Sequence, residues 1–136
     1  MKILLVDDSR PIRTENQHAL AEAGYEVICA EDGESALQLA QTMQPDLILL
    51  DLILPKMSGP DVLEHLKQDV KTAKIPVVVL SSLSDKNRQK LIEAGAEEYL
   101  EKNSIMPWPG VNLLPDKLRE VIRSLTRRGD AAKSGK

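Results

Sequence analysis

Phenylalanine is absent from this 136-residue chain, and the other aromatics are two tyrosines and one tryptophan. Any core must therefore be aliphatic, and a hydrophobic share of 42% is enough to build one. Cys29 is the only cysteine, which excludes an intrachain disulfide and fits a reduced, cytoplasmic setting. Within Glu26-Val27-Ile28-Cys29-Ala30 it reads as a buried strand residue rather than a reactive thiol. No apolar run approaches the length of a membrane span. The four apolar residues between Lys2 and Asp7 are too few for the core of a secretory leader. Acidic and basic residues interleave to a net charge of -3, with no large basic block. Neither a membrane nor nucleic acid is expected as the main partner.

What the chain does have is an alternation of short apolar runs with longer amphipathic stretches. Strands are expected at Lys2–Val6, Glu26–Ala30, Leu47–Leu50, Val77–Leu80 and Glu98–Leu100. Their near-continuous apolar character suits parallel strands buried on both faces, with the partly polar second and fifth nearer the sheet edges. Helices are expected at Arg10–Ala23, Glu34–Thr42, Asp61–Gln68, Lys86–Ala94 and Asp116–Thr126. Ser9, Asp32-Gly33, Ser58-Gly59-Pro60 and Ser84-Asp85 supply start signals. Leu63, Leu66 and Val70 illustrate the helical spacing of apolar residues. Gly24 and Gly95 each end a helix as left-handed residues that turn the chain back to the sheet. Five βα units in a row imply a doubly wound α/β fold with a five-stranded parallel sheet and five helices. The expected strand order is the flavodoxin-like 2-1-3-4-5. One domain is expected over residues 1–126, with a disordered tail over 127–136.

Chemically useful residues follow these strands. Asp7 and Asp8 come after the first, Asp51 after the third, Ser81 after the fourth and Lys102 after the fifth. Carboxyl ends of parallel strands open on one edge, where ligands bind. The three carboxylates should meet at the switch point between the first and third strands, where their repulsion calls for a divalent cation. Mg²⁺ suits them because it takes oxygen ligands and bridges carboxylate to phosphoryl oxygen. Asp51 beside such a metal is placed to attack a phosphoryl group and form an acyl phosphate. Lys102 and Ser81 would contact the phosphoryl oxygens. The plainer reading of each residue is a helix cap for Asp7 or Asp8, a turn residue for Ser81 and a surface lysine for Lys102. Their coincidence at strand ends favours the chemical reading.

At these residues the chain resembles the receiver domain of two-component response regulators. The matching features are Asp7-Asp8, Asp51 closing Asp46-Leu47-Ile48-Leu49-Leu50-Asp51, Pro55-Lys56-Met57-Ser58-Gly59, Ser81, Ala94-Gly95-Ala96 and Lys102. The resemblance runs from about Lys2 to Thr126. It implies that Asp51 accepts a phosphoryl group from the histidine of a sensor kinase or phosphotransfer protein. It implies Mg²⁺ held by Asp8, Asp51, the Ile53 backbone carbonyl and, partly through water, Asp7. It implies phosphoryl contacts from Ser81 and Lys102, and a switch in which Ser81 and Tyr99 remodel the fourth helix and fifth strand for an unknown downstream protein. Such a protein is a signalling phosphoacceptor and not an enzyme. The chain departs from the family at Asn103, where proline is usual, and in the long segment Ser104–Gly110. With no output domain following, a stand-alone receiver is expected.

Two residues at the rim, Ile53 and Leu83, are expected to hinder attacking water and lengthen the phosphoryl lifetime. Trp108 between two prolines is either a partner anchor or a residue packed over the last helix. His18 and His65 read as helix-surface or partly buried residues rather than phosphoryl donors. A small-molecule phosphatase is the enzyme alternative, but no positioned acid beside Asp51 is offered by Leu52 or Ile53. A flavin or nucleotide module is the binding alternative, but Asp7-Asp8 stands where a phosphate-binding turn would be needed.

Overall fold

The computed structural model describes residues 1–82 and 88–134, with backbone alone for 128–134. Five parallel strands form one sheet in the order β2-β1-β3-β4-β5. They are β1 (Lys2–Val6), β2 (Glu26–Ala30), β3 (Leu47–Asp51), β4 (Val77–Ser81) and β5 (Glu98–Glu101). The helices are α1 (Arg10–Glu22), α2 (Gly33–Met43), α3 (Gly59–Gln68), α4 (Arg88–Glu93), α5 (Lys102–Ile105) and α6 (Leu114–Ser134).

Alternation of side chains along each strand divides the core into two layers. Leu4, Val6, Ile48, Leu50, Val77, Val79 and Tyr99 pack with Ala36 and Ala40 of α2, Val62, Leu63 and Leu66 of α3, and Leu91 of α4. Ile3, Leu5, Leu47, Leu49, Val78 and Leu80 pack with Leu20 of α1, Ile105 of α5, and Leu114, Leu118 and Val121 of α6. Helices thus cover both faces, which is why β1, β3 and β4 are apolar at almost every position. The partly exposed strand β2 lies at one edge and β5 at the other.

Four features differ from the sequence expectations. Among the described residues the helices number six rather than five, because Lys102–Ile105 forms a short helix within the segment expected as a loop. Burial of Ile105 fixes that turn against the sheet. The last helix starts at Leu114 and runs on to Ser134, so the tail expected from 127 is helical through that residue. Residues 127–134 contain no proline, and their Arg, Ala and Lys residues favour helix against the weaker Gly129 and Asp130. Val70 lies beyond α3 and is 90% exposed, because α3 stops at Gln68 and Thr72 and Ala73 turn back onto Asp69. Cys29 is only partly buried. Its burial still pushes the thiol pKa up, against the opposing pull of Arg13, so it is not an activated nucleophile. Gly24 and Gly95 do take positive φ, at 98° and 115°, as the helix-end reading requires. Leu83 and the Ser84-Asp85 start signal fall outside the described residues.

Candidate functional site

Strand register gathers the site. Val6 of β1 lies opposite Leu50 of β3, so Asp7 comes level with Asp51 one residue later. Asp51 lies opposite Leu80, which puts Ser81 one step beyond it on the next strand. Ser81 in turn lies opposite Glu101, and Lys102 follows. Residues separated by up to 95 positions therefore meet: the Lys102 ammonium donates to Asp51 Oδ2 at 2.9 Å and to Asp7 Oδ2 at 3.4 Å.

Asp7, Asp8 and Asp51 each offer a carboxylate oxygen within 4.8 Å of the other two. Asp7 and Asp51 are buried and Asp8 is exposed. Among the described residues, one ammonium, Lys102, pairs with carboxylates of this cluster, and it reaches Asp7 and Asp51 but carries too little charge to balance all three. That imbalance, and a donor set made of oxygen alone, fit one hard divalent cation. Burial raises the Asp51 pKa above the ordinary carboxylate range and Asp7 adds to the rise, while Lys102 and the Ile53 N–H oppose it. Burial also works against the charged form of Lys102, but the bond and charge of Asp51, then of Asp7, outweigh it and hold the ammonium above its usual value.

The turns that carry these side chains are tightly built. Asp7 Oδ1 accepts the Ser9 N–H at 2.9 Å, so Asp7 also braces the entrance to α1, where Ser9 is the N-cap residue without a side-chain bond of its own. Asp7 thus uses one carboxylate oxygen for the turn into α1 and turns the other toward Lys102. Asp51 Oδ1 accepts the Ile53 N–H at 3.2 Å. Past Asp51 the loop turns through Lys56, at a φ of 68°, and enters α3 under the Ser58 cap. Gly59 closes that loop: its N–H donates to Leu52 O at 2.9 Å. A Cβ at Gly59 would stand 2.5 Å from Leu52 Cα and 2.6 Å from Asp51 O.

The remaining expected residues are placed as follows. Ser81 is fully buried at the end of β4. Tyr99 is 3% exposed and belongs to the layer under α4, with Val79, Leu91 and Ala96. Ile53 is 57% exposed beside the site, as a rim residue should be. Trp108 is 64% exposed. His18 and His65 are exposed on α1 and α3.

The sequence reading missed Arg13 and the close approach at Gly59. Arg13 Nη1 donates to Asp7 O at 2.7 Å from the first turn of α1. Its signal was available, since helical side chains slant toward the N-terminus. Also missed was a polar clip in which Asn112 donates to the buried Asn16 at 2.9 Å and accepts the Leu114 N–H at 2.9 Å.

Residues 3–106 match the family described as the response regulator receiver domain. The chain belongs to this family. The receiver is 38% identical over 134 residues to a probable transcriptional regulator, ycf27, of Porphyridium aerugineum, covering 98% of this chain and 51% of that protein. It is 36% identical over 132 residues to the alkaline phosphatase synthesis transcriptional regulatory protein PhoP of Bacillus subtilis, covering 96% and 50%. It thus spans about half the length of these relatives. Among solved structures, the chemotaxis protein CheY4 of Vibrio cholerae superposes with a TM-score of 0.75 at 31% identity, covering 90% of this chain and 96% of the other. The receiver domain of the Francisella response regulator 1452 gives 0.76 at 29%, covering 94% and 98%. Membership makes the receiver a two-component signalling domain. Among the described residues, no helix is long and apolar enough to cross a membrane.

Proposed function

We propose that Asp51 of this receiver accepts a phosphoryl group from a phosphohistidine on a sensor kinase or phosphotransfer protein. One observation carries the reading: the Lys102 ammonium lies 2.9 Å from Asp51 Oδ2 at the open edge of the sheet. A carboxylate oxygen of Asp51 bonds to phosphorus as the phosphorus–nitrogen bond breaks, and the electron pair of that bond leaves with the imidazole. Lys102 pairs with a phosphoryl oxygen, and the Ser81 hydroxyl donates to another. Asp8, Asp51, the Ile53 carbonyl and, partly through water, Asp7 would hold Mg²⁺, which offsets negative charge on the reacting oxygens.

Formation of the acyl phosphate draws Lys102 and Ser81 toward the new charge. Tyr99 lies on β5 and shares a core layer with Leu91 of α4, so movement at Ser81 reaches the surface around α4 and β5. That surface is read by a downstream protein. The exclusion of nucleic acid is narrowed to direct contact by these residues, because the named relatives are transcriptional regulators. A DNA-binding partner is therefore admitted. The setting is cytoplasmic, where the kinase's phosphohistidine is presented. The domain accepts and holds a phosphoryl group, and at most labels itself from small donors and sheds the group to water.

The test is incubation with acetyl phosphate and Mg²⁺, read on a phosphate-affinity gel. Wild type shifts; Asp51→Asn does not, and neither does wild type with the metal chelated. A shift in Asp51→Asn equal to wild type contradicts the assignment.

A further inference from the structure

Arg13 holds the peptide between the two acidic residues of the first turn. Its guanidinium donates to Asp7 O at 2.7 Å. With that bond every polar atom of Asp7 is engaged. Its N–H donates to Ala30 O at 3.1 Å, Oδ1 accepts from Ser9 and Oδ2 faces Lys102. The carbonyl that Arg13 grips belongs to the peptide leading into Asp8. That peptide plane sets the direction from which the exposed Asp8 side chain leaves the backbone. A charge-assisted bond to a carbonyl is stronger than a neutral one, and the partly buried guanidinium is anchored on the first turn of α1.

We infer that Arg13 is a positioning residue for the cation site, acting through the Asp7–Asp8 peptide rather than by touching the ion. The inference rests on the proposed reading of the acidic cluster as a Mg²⁺ site. Mg²⁺ demands near-octahedral donor placement, so a small rotation of Asp8 is costly. Partners that orient ligands from outside the coordination sphere commonly matter by about 10–100-fold in affinity. A guanidinium bonded to the neighbouring carbonyl is a partner of that kind.

The experiment is calorimetric titration of the full chain with Mg²⁺ alone, without any phosphoryl donor. Arg13→Ala is expected to weaken binding about tenfold, at the lower end of that range. Arg13→Lys keeps the charge without the rigid fork and recovers part of the loss. Asn16→Ala, on the same helix as Arg13, breaks the clip to Asn112 and serves as a control. It lowers the melting temperature but leaves Mg²⁺ affinity unchanged, which separates positioning from general destabilisation. Equal affinity for wild type, Arg13→Ala and Arg13→Lys overturns the inference and leaves the reading of the cluster standing. Absence of Mg²⁺ binding by wild type overturns both. A parallel fall in affinity for Asn16→Ala assigns the effect to stability and also overturns it.

Discussion

Gly59→Ala is the substitution with the largest consequence for its size. The added methyl would meet Leu52 Cα at 2.5 Å, Asp51 O at 2.6 Å and Leu52 O at 2.8 Å. Comfortable carbon contacts begin near ~3.5 Å, so the overlap is about 1 Å. All three neighbours are backbone atoms at the end of β3, so no side chain can swing aside. The φ of Gly59 is not positive, which makes the requirement one of space rather than conformation. Overpacking of this kind costs about 1–3 kcal/mol, and a clash with three backbone atoms belongs at about 3. Unfolding entropy near ~2.1 cal/mol/K per residue, applied to 136 residues, converts that loss to a fall in melting temperature of about 10 °C. The loop can relieve the clash only by carrying Asp51 with it, and a displacement of about 1 Å slows a positioned reaction roughly a hundredfold. Thermal unfolding and the rate of labelling by acetyl phosphate are the two assays. Gly24→Ala is the contrast: its φ of 98° costs about 1–2 kcal/mol, its Cβ meets nothing within 4 Å, and labelling is unchanged. A Gly59→Ala protein that melts within about 2 °C of wild type and labels at the wild-type rate would show that the loop has room for the methyl group.

Other outcomes follow from the same geometry. Lys102→Ala leaves the buried Asp7 and Asp51 carboxylates without their shared cation, so it is expected to lower the melting temperature without Mg²⁺ and to slow labelling, both read in the assays above. Ile53→Asn replaces the exposed apolar rim with a polar group and is expected to speed loss of the phosphoryl group; an unchanged decay of labelled protein contradicts the shielding role. Lys67 donates to Ala73 O and Ile75 O, and burial holds its pKa below the ordinary lysine value, against the pull of Glu97. The folded state therefore sheds that proton before the unfolded state does. Wild-type stability relative to Lys67→Met should rise as pH climbs through the lowered folded value toward about 10.4, and a gap in melting temperature that falls over that window would be the wrong sign. Trp108→Ala should change stability by no more than about 0.5 kcal/mol, because the ring is 64% exposed, and should leave labelling by acetyl phosphate intact.

Much of this architecture could be read directly because buried parallel strands leave a strong mark. Leu47–Leu50 and Val77–Leu80 are apolar throughout since helices cover both faces, and chemistry placed just after such runs falls on one edge. Gly24 and Gly95 were legible for a local reason, the positive φ that follows a helix. The less legible features depend on contacts that exist only once the chain has folded. Ile105 is buried by the α6 layer, so nothing local in Lys102–Ile105 announces a helix of one turn. Gln44 ends α2 at a φ of 45° without being glycine, and its amide donates to Ala40, Gln41 and Lys71 carbonyls. Gly59 read as a turn signal, whereas its constraint is the Asp51–Leu52 backbone packed against it. Arg13 is one charge among several on α1, and its role shows only in the bond to the Asp7 carbonyl.

Asp51 should be the one residue that takes the phosphoryl group. Borohydride reduction of protein labelled with acetyl phosphate and Mg²⁺ converts an aspartyl phosphate to homoserine, and tandem mass spectrometry of the digest reads its position. Homoserine is expected at position 51 alone, lost in Asp51→Asn. Homoserine at Asp7 or Asp8, or none from protein that carries the label, would contradict it.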